Sequence, residues 1–253
     1  MKMHVLSGGK LRMRKSVYVP NAERGEMIDL PVSCILFKHA KGNVLFDTGC
    51  HPSVTDDAES RWGAMAKAMQ PIMQPEDTLL HELAQLNLTP NDIDVVINSH
   101  YHSDHCGCNE YFKKATFYVH AAELATVEKP DSTSRGYIKA DWQHPMELIT
   151  FENQVDIFSD NRISLVPLPG HSPGLTGALV ELDKSGSFLL ASDAVSIREN
   201  LDLETMPKTT WDKNVLMTSL EEIKRIEKSG ATVICGHDPD QWKTLKKGIQ
   251  FYD

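Results

Sequence analysis

Asp94-Val-Val-Ile-Asn-Ser-His-Tyr-His-Ser-Asp-His105 is the stretch from which this chain is best read. Asp94 to Ser99 is short, apolar and β-branched, which predicts a buried strand. The residues after it place four metal-competent side chains, His100, His102, Asp104 and His105, within six positions. Asp104-His-Cys-Gly-Cys-Asn-Glu-Tyr-Phe112 can then begin a helix. A chain turning off a strand end splays such side chains around two neighbouring points. The imidazoles separated by one residue serve one point, and the adjacent Asp-His pair serves the other. Imidazole and carboxylate are ligands that suit zinc and its first-row neighbours. One histidine alone would read as a chance polar loop residue; four ligands together read as a metal site.

Three more strand ends offer ligands. His171 in Gly170-His-Ser-Pro-Gly174 follows the apolar run Ile163 to Leu168. Asp193 closes Ser187 to Ser192, and His237 follows Ala231 to Cys235. Neighbouring glycines let backbone approach a compact site. Ligands at successive strand ends collect along one rim of a sheet.

With His-x-His-x-Asp-His followed by separate His, Asp and His, the chain resembles the metallo-β-lactamase superfamily. Within it, the resemblance is to the N-acyl homoserine lactonase branch, over nearly the whole chain. Leu45-Phe-Asp-Thr-Gly49, Pro169 to Gly174, Ser192-Asp-Ala194 with Glu199-Asn200, Gly236-His-Asp238 and Phe251-Tyr252 carry it, in order. Glyoxalase II-type thioesterases and RNA-processing nucleases share the ligand set, so the motif is more specific for the fold than for the substrate. Periodicity alone gives an α+β or α/β class. The resemblance implies α+β, an αββα sandwich of two mixed sheets flanked by helices. It is expected as a single domain over 1–253 with pseudo-halves of about 1–150 and 151–253.

The resemblance further implies two Zn2+ per chain, with Mn, Co or Fe as other occupants. One metal would take His100, His102 and His171, and the other Asp104, His105 and His237. Asp193 would bridge them, since a carboxylate has two oxygens and an imidazole one free nitrogen. Zinc lowers the pKa of bound water from about 16 to about 7. The implied activity is a dinuclear zinc hydrolase opening a lactone by attack of a hydroxide shared between the metals. An N-acyl homoserine lactone is the leading substrate, which would make the enzyme quorum-quenching. Another lactone (a γ-butyrolactone or a pyridoxolactone), a thioester, or a non-catalytic metal-binding role are the other readings. A hydroxide supplied by the metals in this way needs no Ser or Cys nucleophile. Asp193 with flanking histidines departs from the β-lactamases proper, which use a Cys in the second site. His102 stands where flavodiiron relatives carry Glu. Asp104, Asp193 and Ser196 are the catalytic candidates. Ser196 marks a departure, because lactonases of this branch usually have a Tyr three residues after the bridging Asp, where its hydroxyl holds the substrate carbonyl. Tyr137 is a candidate to replace that phenol.

Composition narrows the classes. With 35 acidic against 26 basic residues the formal net charge is −9, which opposes nucleic-acid binding. A 41% hydrophobic content over 253 residues supports a sizeable core. Five cysteines, an odd number without C-x-x-C spacing, imply neither a disulfide framework nor a zinc ribbon. Cys106 and Cys108 read as packing residues rather than ligands. The N-terminus lacks an apolar h-region, and no run is long enough for a membrane span. The cytoplasm is therefore expected, with no membrane partner. The expected partner is a small-molecule lactone, and a homodimer is compatible with the sequence.

Met3–Leu6, Leu11–Val19, Pro31–Lys38 and Asn43–Phe46 are predicted as strands, with Gly8-Gly9 and Lys41-Gly42-Asn43 as turns. Asp77 to Leu88 and Asp212 to Lys228 are predicted as amphipathic helices, and Thr116 to Val119 as a strand. His51 to Pro75, with Trp62, Met65, Met69 and Met73, reads either as core or as an adaptable apolar wall for a substrate. Pro130 to Pro145 reads as a long loop, either functional or a plain surface connection.

Overall fold

The alternation of buried and outward side chains along the strands sorts this chain into layers. The computed structural model describes residues 1–253. The first sheet is built from β1 (Lys2–Arg14), β2 (Met27–His39), β3 (Gly42–Phe46), β4 (Gln70–Pro71), β5 (Val95–Ile97), β6 (Thr116–His120) and β7 (Glu147–Phe151). Its spatial order is β4-β1-β2-β3-β5-β6-β7. The second sheet, ordered β12-β11-β10-β9-β8, contains β8 (Val155–Asp156), β9 (Ile163–Pro167), β10 (Thr176–Leu182), β11 (Gly186–Ser192) and β12 (Thr232–Cys235). Both sheets are mixed: β3, β5, β6 and β7 run parallel, as do β11 and β12, and the remaining pairs are antiparallel. The chain leaves the first sheet for the second between Phe151 and Val155.

The helices are α1 (Val54–Trp62), α2 (Leu79–Gln85), α3 (Ser103–Cys106), α4 (Ala121–Val127), α5 (Lys139–Trp142), α6 (Arg198–Asp202), α7 (Lys213–Lys228) and α8 (Pro239–Thr244). Ile35, Phe37, Val44 and Phe46 of the first sheet meet Leu165, Val180, Phe188 and Ile234 of the second in one core between the sheets. The alternate residues Cys34, Leu36, Leu45 and Val96 turn the other way, under Leu79 and Leu83 of α2. On the far side Leu189, Ala191 and Val233 lie under Leu216, Leu220, Ile223 and Ile226 of α7. Each such buried side chain contributes roughly 1.5–3 kcal/mol before chain entropy is charged. Helix, sheet, sheet, helix is the expected αββα sandwich. Asp212 caps α7 by accepting from the amides of Asn214 and Val215, and Gly230 just beyond its end has φ +110°. No helix is long and apolar enough to cross a membrane.

Four expectations are corrected. Gly8-Gly9 is not a turn but part of β1, at a register shift opposite β2. A Cβ on Gly8 would stand 2.8 Å from Gly49 Cα, so Gly8 serves close packing against the Asp47–Gly49 turn, while one on Gly9 would meet Met73 and Cys50. The strand predicted to Val19 ends at Arg14, where Lys15–Val17 forms a 3-10 turn with Tyr18 N donating to Lys15 O at 2.9 Å. The helix predicted from Asp104 lasts one turn, and a Cβ on Gly107 would lie 2.4 Å from the His51 amide nitrogen. Pro130 to Pro145 is not structureless, because it holds a 3-10 turn at Ser132–Arg135 and α5.

Candidate metal centre

Four strand ends deliver the seven sequence candidates to one place. His100 lies three residues beyond β5, His171 follows β9, Asp193 directly follows β11, and His237 follows β12. Ser192, at the end of β11, and Asp47, just after β3, carry positive φ without being glycine, 47° and 60°. Such backbone is costly and persists only where its surroundings hold it. His102 Nδ1 stands 3.0 Å from both His100 Nε2 and His171 Nε2. Asp104, His105 and His237 form a second group, with His237 Nε2 3.5 Å and His105 Nε2 3.7 Å from Asp104 Oδ2. Asp193 stands between them. Its Oδ2 is 3.4 Å from His171 Nε2, while its Oδ1 is 2.9 Å from His237 Nε2 and 3.4 Å from His105 Nε2.

The outer partners decide which nitrogens carry protons. His105 Nδ1 donates to Asp47 Oδ2 at 2.8 Å, and His237 Nδ1 donates to Pro31 O at 2.9 Å. Ser99 Oγ spends its own proton on Asp47 Oδ2 at 2.7 Å, so it accepts from His100 Nδ1 at 3.0 Å. In the neutral rings the Nε2 atoms of these three histidines are bare lone pairs aimed inward. His105 Nε2 and Asp193 Oδ1 are buried with no hydrogen-bond partner. Lone pairs facing carboxylate oxygens at such distances repel unless a cation lies between them. Burial, followed by the neighbouring imidazoles, holds His100 well below its ordinary value. Burial also takes His171 down to about 3, against the pull of Asp193. These rings are neutral and ligand-competent at physiological pH. At His105 burial opposes charge, but Asp104, Asp47 and Asp193 push the ring well above its ordinary value. His237 is likewise raised against burial, chiefly by Asp193. A position that draws protons onto imidazoles in this way favours a divalent cation still more. The donor set of histidine and aspartate suits zinc and first-row ions.

A model of the metallo-beta-lactamase superfamily matches residues 27–240. The chain belongs to the metallo-beta-lactamase superfamily. It is 30% identical to the N-acyl homoserine lactonase AttM of Azorhizobium caulinodans over 260 residues, covering 100% of this chain and 99% of that protein. It is 31% identical to the N-acyl homoserine lactonase AiiB of Agrobacterium fabrum over 276 residues, covering 100% and 99%. A solved N-acyl homoserine lactone hydrolase with N-hexanoyl-L-homoserine bound at its catalytic metal centre superposes with TM-score 0.89 at 26% identity, covering 99% of this chain and 98% of that one.

The strand ends that bear the ligand candidates form one rim. A cavity of about 470 Å³ opens there, with His102, Asp104, His171 and Asp193 on its floor. Met13, Met65, Met69 and Trp211 line its apolar side. Both readings of the methionine stretch are thus present: Trp62, Met69 and Met73 are buried core, and Met65 and Met69 face the cavity. A more open groove of about 1180 Å³ contains none of the seven candidates and is bordered by mixed charges such as Lys10, Lys15, Asp29 and Arg198. Four of the seven candidates border the smaller cavity.

Ser196 is buried, does not line that cavity, and its Oγ has no partner. An unpaired buried hydroxyl costs about 1–3 kcal/mol. Ser196→Ala should therefore unfold at an equal or higher denaturant midpoint, and a drop of more than about 1 kcal/mol in a urea titration would contradict this. Tyr137 lines the cavity with its ring centroid 4.9 Å from that of His102, the two planes tilted by 35°, and its hydroxyl is directed to Glu123 and Ser172. Cys106 and Cys108 are buried, their thiols turned to the carbonyls of Tyr101 and Cys50. Sequence reasoning missed Glu123 and Tyr18. Glu123 is buried and accepts from the amides of Tyr101 and Gly174 and the hydroxyl of Ser172. Its only sequence signal was a Glu early in a helix. Tyr18 had been assigned to a strand.

Proposed function

We propose that the protein is a dinuclear metal hydrolase that opens the ring of N-acyl homoserine lactones, with zinc as the leading occupant. One observation carries this reading: Asp193 presents one oxygen toward His171 and the other toward His237 and His105, as a bridge between two ligand groups must. His100, His102 and His171 would hold one ion, and Asp104, His105 and His237 the other. Bound there, two such ions supply an activated water at neutral pH and Lewis-acid polarisation of a carbonyl. Asp47, Ser99 and the Pro31 carbonyl fix ring orientation and tautomer, which such partners do for metal-bound histidines generally. Asp104 borders the cavity and belongs to a ligand group, as Asp193 does; with Asp193 taken up in the bridge, Asp104 would be the carboxylate that passes a proton to the departing ring oxygen.

The relatives named N-acyl homoserine lactonases support this substrate class. So does the shape of the cavity, which has a polar floor for a lactone ring and a methionine-rich wall for an acyl tail. The net charge of −9 opposes a nuclease. Five free cysteines, all buried, support a reducing compartment such as the cytoplasm.

The test combines metal content with turnover. Metal-replete protein should contain about two ions per chain, and a strong chelator should abolish activity until metal is restored. Ring opening yields a carboxylic acid of ordinary pKa about 4, so each turnover releases one proton to a pH-stat at pH 7. A protein fully active with one ion per chain, or inert toward every N-acyl homoserine lactone, would refute the reading.

A further inference from the structure

The cavity contains one phenol whose proton is almost unspent. Tyr18 is buried, borders the cavity together with Asp104 and Asp193, and donates only to the thioether of Met13 at 3.1 Å. A thioether is a weak acceptor, so a carbonyl oxygen arriving in the cavity would take that proton with a net gain. The competing phenol, Tyr137, has its hydroxyl directed to Glu123 and Ser172, away from such a role. Ser196 does not reach the cavity.

The backbone of Tyr18 is held firmly. Its amide donates to Lys15 O at 2.9 Å, and its carbonyl accepts from Asn200 Nδ2 at 2.9 Å. Asn200 belongs to α6, and its Oδ1 also accepts from the Ile197 amide at 3.1 Å. The segment that follows Asp193 and carries Ser196 is therefore the segment that clamps Tyr18. Its ring lies among Trp62, Met69 and Ile197, so the phenol swings little. Burial pushes the phenol up, so it keeps its proton.

We propose that Tyr18 Oη donates a hydrogen bond to the scissile carbonyl oxygen of the bound lactone, beside Asp104 and Asp193. The bond strengthens as that oxygen gains negative charge, so it acts on the transition state more than on the ground state. Tyr18 would thus be a catalytic residue, supplied from the turn after β1 and not from the strand end that carries Asp193. This assignment rests on the lactonase reading above.

Tyr18→Phe removes the hydroxyl and keeps the ring, so packing and metal content should match wild type. In the metal-loaded enzyme kcat for an N-acyl homoserine lactone should fall about 10- to 10²-fold with KM changed little. Affinity for the ring-opened N-acyl homoserine, measured by calorimetry on the same protein, should also fall, since its carboxylate keeps the oxygen that Tyr18 contacts. A kcat and a product affinity both within twofold of wild type would overturn the assignment. So would a raised KM at unchanged kcat, which would place the hydroxyl elsewhere on the substrate. A wild-type protein that binds the product through Tyr18 but turns over no lactone would preserve the contact and refute the proposed function. Active wild type with an indifferent Tyr18→Phe would do the reverse, and absence of both binding and turnover would overturn both.

Discussion

Asp193→Asn lowers lactone turnover by roughly 10³-fold or more, while circular dichroism stays at the wild-type trace. The substitution is nearly isosteric, so the buried volume between β11 and β12 is kept. The chemistry is not kept. Asp193 Oδ2 faces His171 and Oδ1 faces His237 and His105, and an amide can offer an oxygen to only one side. The amide NH2 would confront an imidazole lone pair or an ion on the other side. The substitution also removes a negative charge from the centre of a buried cluster, where charge interactions are screened least. Burial works against ionisation of Asp193, yet His237, His171 and His105 hold its carboxyl well below the usual range. A divalent ion on each side would hold it lower still. Losing about 4 kcal/mol of transition-state stabilisation corresponds to three powers of ten in rate. Metal content should fall below about two per chain in the same preparation. Turnover within tenfold of wild type, with both ions retained, would show that Asp193 does not bridge.

Residues with strong local signals were legible before any fold was known. The His100–His105 motif, and a ligand at each of three later strand ends, needed only sequence periodicity to place them. Periodicity alone reaches only an α+β or α/β class, and the αββα layers came from the resemblance; Cys34-Ile-Leu-Phe37 is apolar throughout because its alternate residues face the second sheet and α2. Helix α7 was readable from its apolar face and its Asp212 and Gly230 ends. What stayed hidden depends on contacts far apart in sequence. Gly8-Gly9 carries the local signature of a turn, and only distant neighbours explain two glycines inside a strand: Gly49 against Gly8, and Met73 and Cys50 against Gly9, whose φ is +131°. The predicted helix stops at Gly107 because its amide donates to Gly49 O at 2.8 Å, and a glycine is needed there because a side chain would meet the backbone of His51. Tyr18 could not be connected with Asp193 from sequence, because they are brought together by a 3-10 turn that departs from the predicted strand and by Asn200. Glu123 drew no reading, since nothing local shows that its carboxyl lies under two ligand loops.

That position of Glu123 makes Glu123→Ala the most disruptive change outside the ligands themselves. The Tyr101 amide, which donates to Glu123 Oε1 at 3.1 Å, lies between His100 and His102. Oε2 accepts from Ser172 Oγ at 2.7 Å and Gly174 N at 3.1 Å, just beyond His171. One buried side chain thus ties together the loops bearing all three nitrogens of one ligand group. Gly174 packs so tightly on the first turn of α4 that a Cβ there would come 2.3 Å from the Glu123 amide nitrogen. Truncation leaves three donors without an acceptor in a dry interior, at about 1–3 kcal/mol for each that water cannot reach. A loss of about 3–5 kcal/mol in unfolding free energy is expected by urea titration of the metal-free protein. Outer partners of metal ligands typically set affinity by 10–100-fold, so one ion per chain should be held that much more weakly in a competition titration. Should the alanine variant not fold, Glu123→Gln provides the same test at lower cost. Its amide can keep an oxygen toward Ser172 and Gly174 only by turning its NH2 against the Tyr101 amide, so two donors meet. Stability within about 1 kcal/mol of wild type and unchanged affinity for both ions in the glutamine variant would mean that the two loops hold their ligands without Glu123.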